Sequence, residues 1–343
     1  MSVLVTGAAG FIGYHTAMRL SREGFSVVGI DNLNPYYDVK LKQARLHRLQ
    51  TLTNFTFQRL DIVDQPALNA LFEQGRFKQV IHLAAQAGVR YSLDNPDAYA
   101  QSNLVGFLNV LEACRHHPPA HLIYASSSSV YGANTRMPFR EDDQVDQPVS
   151  LYAATKRANE LLAHSYCHLY GLQATGLRFF TVYGPWGRPD MSPIQFARAI
   201  SEGEPLKLFN YGEHQRDFTY IDDIIESIAR LIDQPPQANP QWDREQPDPA
   251  SSMAPWRLFN IGGQQPVALK TYLALMEKHL DRKAIVELLP LQPGDVLNTC
   301  AEASDLAQAT GFQPRIELDE GLGRFIAWFR NYYPTARAPL AAE

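Results

Sequence analysis

Ser2-Val3-Leu4-Val5-Thr6-Gly7-Ala8-Ala9-Gly10-Phe11-Ile12-Gly13 carries the strongest structural signal in the chain. A β-branched apolar run leads into glycines at 7, 10 and 13, and a helix-compatible stretch, Tyr14 to Glu23, follows. That order predicts strand, tight turn, helix. Gly7 permits the turn, Gly10 lets the backbone approach a pyrophosphate, and Gly13 allows a helix to pack closely on a sheet. The start of the helix, at Phe11 and Ile12, offers free N–H groups and the positive end of its dipole to phosphate. A glycine-rich turn with no ligand would use the same residues; its place directly after a strand favours dinucleotide binding. Asp31 ends the next strand, 18 positions after Gly13. A carboxylate there accepts hydrogen bonds from the adenosine ribose hydroxyls and repels a 2′-phosphate. Asn32-Leu33-Asn34 follows with no basic residue close behind, so NAD is favoured over NADP.

Outward from this unit, strand-like runs recur at Ser26 to Asp31, Phe55 to Arg59, Gln79 to Leu83, His121 to Ser126 and Gln173 to Phe179. Several are almost wholly apolar, as in strands buried on both faces of a parallel sheet. Helical stretches lie between them, at Val39 to Gln50, Asp97 to Cys114 and Tyr152 to Tyr170. The alternation predicts a doubly wound α/β sheet of the Rossmann type over residues 1–180. Asp61-Ile62 after the third strand and Leu83-Ala84-Ala85 at the end of the fourth would flank the cofactor, the small residues leaving room for a flat ring. Beyond residue 180 prolines and glycines thicken. We expect a smaller C-terminal α/β substrate lobe over 181–343, with the chain returning to the sheet around 215–235 and 257–262. The polar, proline-rich stretch Asp233 to Pro255 reads as a surface insertion of low order, and Tyr272 to Leu280 and Leu318 to Phe329 as amphipathic helices.

Composition sets the limits. The chain has 343 residues, 45% apolar and 20% charged, with a formal charge of −5. That balance is ordinary for a globular chain with a sizeable core and argues against non-specific nucleic-acid binding. The three cysteines, Cys114, Cys167 and Cys300, have no metal-like spacing and cannot all pair, so neither a metal module nor a disulfide scaffold is expected. No run reaches the roughly 18 apolar residues that span a bilayer. Met1 leads straight into a strand rather than a leader, so a cytoplasmic protein with no membrane segment is expected.

Tyr152 and Lys156 stand at i and i+4 on an expected helix and share a face. A free tyrosine, with a pKa of about 10, is a poor base at neutral pH. A neighbouring ammonium stabilises the phenolate and makes it a usable one. A tyrosine and lysine four apart are also common on solvated helix faces; this pair gains weight from following the fifth strand, where the nicotinamide would lie. Ser126-Ser127-Ser128-Ser129 ends that strand, and its hydroxyls can hold a substrate hydroxyl.

Taken in order, the glycine turn, Asp31, Asp61, the serine cluster and Tyr152-Ala153-Ala154-Thr155-Lys156 resemble the extended short-chain dehydrogenase/reductase family, over residues 2 to about 332. Within it the chain is most similar to the UDP-glucuronate 4-epimerases. The segments that carry this are Asp31-Asn32-Leu33-Asn34-Pro35-Tyr36-Tyr37-Asp38, Ala85-Gln86-Ala87-Gly88-Val89-Arg90-Tyr91-Ser92, Phe179-Phe180-Thr181-Val182-Tyr183-Gly184-Pro185 with Arg188-Pro189-Asp190-Met191, and Gln292-Pro293-Gly294-Asp295-Val296. The resemblance implies a catalytic Ser127, Tyr152 as base and Lys156 as its partner, the last two also touching NAD. It implies that Arg90 and Arg216 hold the diphosphate and Asp295 the uridine ribose. Related dehydratases carry an Asp-Glu pair where this chain has Ser128 and Ser129, which argues against elimination of water. UDP-galactose 4-epimerases usually carry Asn where Thr181 stands. A glucuronate carboxylate needs donors, and Ser128, Ser129, Thr181 and Arg188 can supply them; a surface charge is the plain alternative for Arg188. The expected reaction is C4 inversion of UDP-glucuronate through a 4-keto sugar. A neutral UDP-hexose epimerase and a cofactor-binding regulator with a dead site remain as alternatives. The stretches near Asn103 to Cys114 and Tyr152 to Tyr170 are the expected face of a homodimer.

Overall fold

The computed structural model describes residues 1–291 and 297–334. Its strands in chain order are β1 Ser2–Thr6, β2 Ser26–Asp31, β3 Phe55–Arg59, β4 Gln79–His82, β5 His121–Ser127, β6 Ala174–Phe179, β7 Thr181–Tyr183, β8 Pro205–Leu208, β9 Gln215–Tyr220, β10 Trp256–Ile261, β11 Pro266–Ala268 and β12 Ile285–Leu288. Seven of them form one parallel sheet in the order β10-β6-β5-β4-β1-β2-β3. The doubly wound sheet expected from the sequence is therefore present. Its order reverses between β1 and β4, which opens a crevice at the carboxyl ends of the strands, where ligands bind in such sheets. Gly7, Leu83 and Ser127 all stand at that edge.

The apolar strands are buried as their composition requires: Val3, Leu4, Val5, Val80, Ile81, Leu122 and Tyr124 are all essentially inaccessible. The helix Ile221–Leu231 returns to the sheet and lies along the first helix, Phe11–Arg22, where Arg19 and Glu226 pair at 2.8 Å. The remaining strands form a small sheet β11-β9-β7 and a pair β12-β8. One buried apolar cluster runs without a break from Val3 and Ile81 in the large sheet to Tyr272, Phe325 and Phe329 in the C-terminal helices.

Two expectations change. Asp97 to Cys114 is not one α-helix: Pro96–Tyr99 passes through a wider π-helical stretch, Ala100–Val105, into Gly106–His116. The widened turn frees the Asn103 carbonyl, which accepts from Asn159 Nδ2 at 2.6 Å. The stretch Asp233 to Pro255 lacks regular structure but is tied down: Gln173 donates to the Pro236 carbonyl at 3.0 Å, His164 bonds Ser252 at 2.8 Å, and Asn239 donates to Ser251 at 3.0 Å. It lies outside the walls of the cleft described next.

Candidate active site

A cleft of about 440 Å³ occupies the crevice. At one end, Gly7 adopts φ +72°, and a Cβ there would lie 2.8 Å from the Ala84 nitrogen. Gly10 donates to the Gly7 carbonyl at 2.8 Å and starts the helix with no side-chain cap. A Cβ on Gly13 would sit 2.1 Å from the Gly7 carbonyl oxygen. Glycine at these places lets strand, turn and helix close up, leaving first-turn N–H groups for an anion. Asp31 accepts from Ala9 N at 3.1 Å and Leu33 N at 2.8 Å, so one carboxylate shapes the turn and faces the cleft. A turn with no room for side chains, an uncapped helix start and a carboxylate at the strand end together fit a dinucleotide's pyrophosphate and ribose.

At the other end, the helix Leu151–Tyr170 carries Tyr152 and Lys156. Ser150 caps it by accepting from Ala153 N at 3.1 Å, and its alanines, leucines and long polar residues favour the helical state. It is laced to consecutive residues of β5. Lys156 Nζ donates to the Ala125 carbonyl at 2.9 Å, Ser126 Oγ donates to Glu160 at 2.6 Å, and Ser127 stands close enough to Tyr152 to draw its phenol down. Side chains alternate faces along a strand, so Ser127 faces the cleft while Ser126 bonds the buried Glu160; Ser129, in the short helix Ser128–Tyr131 that follows, donates its N–H to Ser127 Oγ at 3.2 Å. Arg178 closes the lacing with two bonds to Glu160, at 2.9 and 3.1 Å, both side chains wholly inaccessible.

Burial pushes the Tyr152 phenol up, and it is drawn back by Ser127 and the Arg188 charge. The sequence reading gave that pull to Lys156. Here Lys156, lowered by burial to about 8, is held through Ala125 and sustained by the Glu160 carboxylate.

Of the residues expected from sequence, Gly7, Gly10, Phe11, Ile12, Gly13, Asp31, Asn32, Asp61, Ile62, Leu83, Ala84, Ala85, Ser127, Ser128, Ser129, Tyr152, Lys156, Thr181, Arg188 and Arg216 all line this one cleft. Arg90 is not on its wall; its guanidinium lies over the Phe209 ring at 4.9 Å. Asp295 lies outside the described residues. Sequence reasoning missed Lys42, which the helix Val39–Leu49 brings to 3.8 Å from Asp31. It also missed Asn103, whose amide bonds both the N–H and the carbonyl of Gln86 and reaches Thr155 at 3.0 Å. Polar residues on mainly apolar helix faces were the available signal. Among the described residues, no group of three His, Cys, Asp or Glu is gathered as a metal site would need.

Residues 3–242 match the model of the NAD dependent epimerase/dehydratase family. The chain belongs to that family. It is 49% identical to a probable UDP-glucuronate 4-epimerase of Rhizobium meliloti, over 98% of this chain and 99% of the relative. The Bacillus cereus UDP-glucuronic acid 4-epimerase, solved with UDP-glucuronic acid and NAD, superposes with a TM-score of 0.87 at 32% identity, covering 97% of this chain and all of that one. The Thermotoga maritima UDP-glucose 4-epimerase, solved with UDP-glucose, gives 0.82 at 28% identity, over 97% of this chain and 99% of its own.

The lacing of this epimerase/dehydratase-family site makes a stability prediction. Glu160→Gln leaves the Arg178 charge buried without its counter-ion, and breaking a buried pair in this way costs about 3–5 kcal/mol. Urea unfolding of the variant should show a loss in that range. A loss under about 1 kcal/mol would mean that the pair is not what holds the helix to β6.

Proposed function

We propose that the protein inverts C4 of UDP-glucuronate to give UDP-galacturonate, with NAD bound throughout. The observation that carries the reading is the wall around Tyr152, which sets Ser127, Ser128, Ser129, Thr181 and Arg188 in one cleft with the glycine turn. When bound, NAD supplies the hydride acceptor at C4 and the donor that later returns it. Tyr152 takes the proton of the 4-hydroxyl and gives it back after the keto sugar has turned over. Ser127 orients that hydroxyl, and Lys156 stands behind the pair. Ser128, Ser129, Thr181 and Arg188 hold the sugar carboxylate. Arg216, on the cleft wall, serves the diphosphate. No acid stands beside Ser127, since Ser128 and Ser129 follow it, so elimination of water lacks its catalysts. Residues 1–180 with the returning stretches hold NAD, and the rest of 181–343 holds the UDP-sugar.

Incubation of the purified protein with UDP-glucuronate and no added NAD tests this. UDP-galacturonate should form; turnover of UDP-glucose but not of the uronate would favour a neutral-sugar epimerase, and no turnover of either a regulator. Arg188→Ala should lower turnover of UDP-glucuronate by about a hundredfold, a lost charge-assisted bond being worth about 3 kcal/mol, and lower that of UDP-glucose only by the smaller part that comes from the upward move of the Tyr152 phenol. Equal losses on both would refute a carboxylate role.

We further infer a homodimer. Leu108 on Gly106–His116, and Leu161, Leu169 and Tyr170 on Leu151–Tyr170, are exposed apolar residues on neighbouring helices, and such a face favours pairing. Sedimentation velocity distinguishes dimer from monomer. No helix among the described residues is long and apolar enough to cross a membrane. Use of NAD and a nucleotide sugar is consistent with a cytoplasmic location.

A further inference from the structure

Arg188 does not stand alone on the cleft wall. Its Nε donates to Asp190 Oδ1 at 3.1 Å and its Nη2 to Oδ2 at 2.5 Å. The Tyr36 hydroxyl donates to the same Oδ2 at 3.0 Å. Burial would raise the Asp190 carboxyl, but Arg188 and Tyr36 outweigh it and keep it ionised. Tyr36 is itself fixed: its N–H donates to Asn34 at 2.7 Å, its ring lies 4.7 Å from that of Tyr91, and Gly88, at φ +103°, leaves its hydroxyl room that a Cβ would fill at 2.5 Å. Arg188 is close enough to Tyr152 for each charge to act on the other. The cation proposed to receive the sugar carboxylate thus has one edge already occupied by a rigidly held carboxylate.

We propose that Asp190 is a specificity-determining residue, a counter-charge that tempers the grip of Arg188 on the sugar carboxylate. This rests on the UDP-glucuronate reading above. The physical reason lies in the turnover of the sugar. The 4-keto hexose must break its contacts with the wall and rotate before hydride returns. A cation with no counter-charge would bind the uronate more tightly in the ground state, and that added grip would be lost during rotation, raising the barrier. With Asp190 in place the pair carries no net charge, and the incoming carboxylate meets attraction from Arg188 and repulsion from Asp190. A neutral hexose feels little of either.

The test uses the NAD-loaded enzyme and Asp190→Asn, which keeps the size and an acceptor oxygen. KM for UDP-glucuronate should fall about tenfold, as expected for removal of one repulsive charge at short range in a cleft, while kcat falls by a similar factor. The inhibition constant of UDP-glucose, the neutral probe, should move less than about twofold, since it carries no carboxylate to respond. In an Arg188→Gln background the same Asp190→Asn change should again lower KM for UDP-glucuronate, because Asp190 then repels the carboxylate unopposed, while kcat should no longer fall, since no cation is left to overbind the sugar. A rise in KM for the uronate, equal tightening of UDP-glucose, or a fall in kcat that persists without Arg188 would each overturn the proposal. Retained NAD per chain reports folding. If Asp190→Asn loses NAD, Asp190→Ser must give the predicted split, and loss of NAD in both makes the residue structural and ends the proposal. Wild-type protein inactive on UDP-glucuronate would instead defeat the parent reading.

Discussion

Tyr152→Phe is expected to lower turnover of UDP-glucuronate by about a thousandfold, within the range that a positioned acid–base group contributes. The substitution removes one oxygen and little else. The ring keeps its edge contact with Tyr99, 6.1 Å between centroids, and the helix keeps its Ser150 cap. Bound NAD and the KM for UDP-glucuronate should therefore stay near wild type, so that the loss falls on kcat. The pH profile separates this from a folding defect. In the proposed reaction Tyr152 acts as a phenolate, and burial holds its phenol above the usual value, so the wild-type rate should climb with pH through the neutral range. Arg188→Ala removes one of the two groups that draw the phenol down and should move this limb to higher pH. In Tyr152→Phe the limb should vanish. A variant keeping more than about a tenth of wild-type kcat would show that another group takes the proton, since general bases rarely contribute so little.

Gly13→Ala is expected to cost the protein its cofactor. The new Cβ would lie 2.1 Å from the Gly7 carbonyl oxygen, 2.8 Å from the Gly7 carbonyl carbon and 3.2 Å from the Ala8 Cα, all backbone atoms. No side chain can rotate aside, so the turn must move away from the helix. Overpacking of this kind costs about 1–3 kcal/mol. The shift also displaces Gly7, whose carbonyl accepts from Gly10 N at the start of the helix. The N–H groups there then no longer converge on one pyrophosphate, and about 3 kcal/mol of lost binding is roughly a hundredfold in affinity. Wild-type protein denatured after gel filtration should release NAD near one per chain, and Gly13→Ala almost none, with activity recovering only at high added NAD. Stoichiometric NAD in the purified variant would defeat this account of the turn.

Much of this was open to reading along the chain. The first three strands, Ser2–Thr6, Ser26–Asp31 and Phe55–Arg59, fall where the β-branched runs put them. Tyr152 and Lys156 come to one cleft because four residues are about one helical turn, and Ser127 joins them because the strand before that helix ends beside it. Each signal is local: a run, a period, or glycines where a side chain has no room. Arg90 shows where local signals stop. A basic residue after a glycine loop carries no local sign of which way it faces, and packing set it over Phe209. The wide turn at Ala100–Val105 was hidden because its cause, Asn159, lies 56 residues away.

By itself, then, the sequence determined the parallel sheet, the cofactor turn and the Ser–Tyr–Lys constellation, all written in spacings of a few residues. Only the tertiary structure decided which charges meet. Glu160 takes Arg178, Asp31 draws Lys42, and Asp190 receives Tyr36 from 154 positions away. Such pairings depend on how separate elements stack. A buried charge must find its partner in space, whatever the distance along the chain, and that leaves no periodic trace in the order of residues.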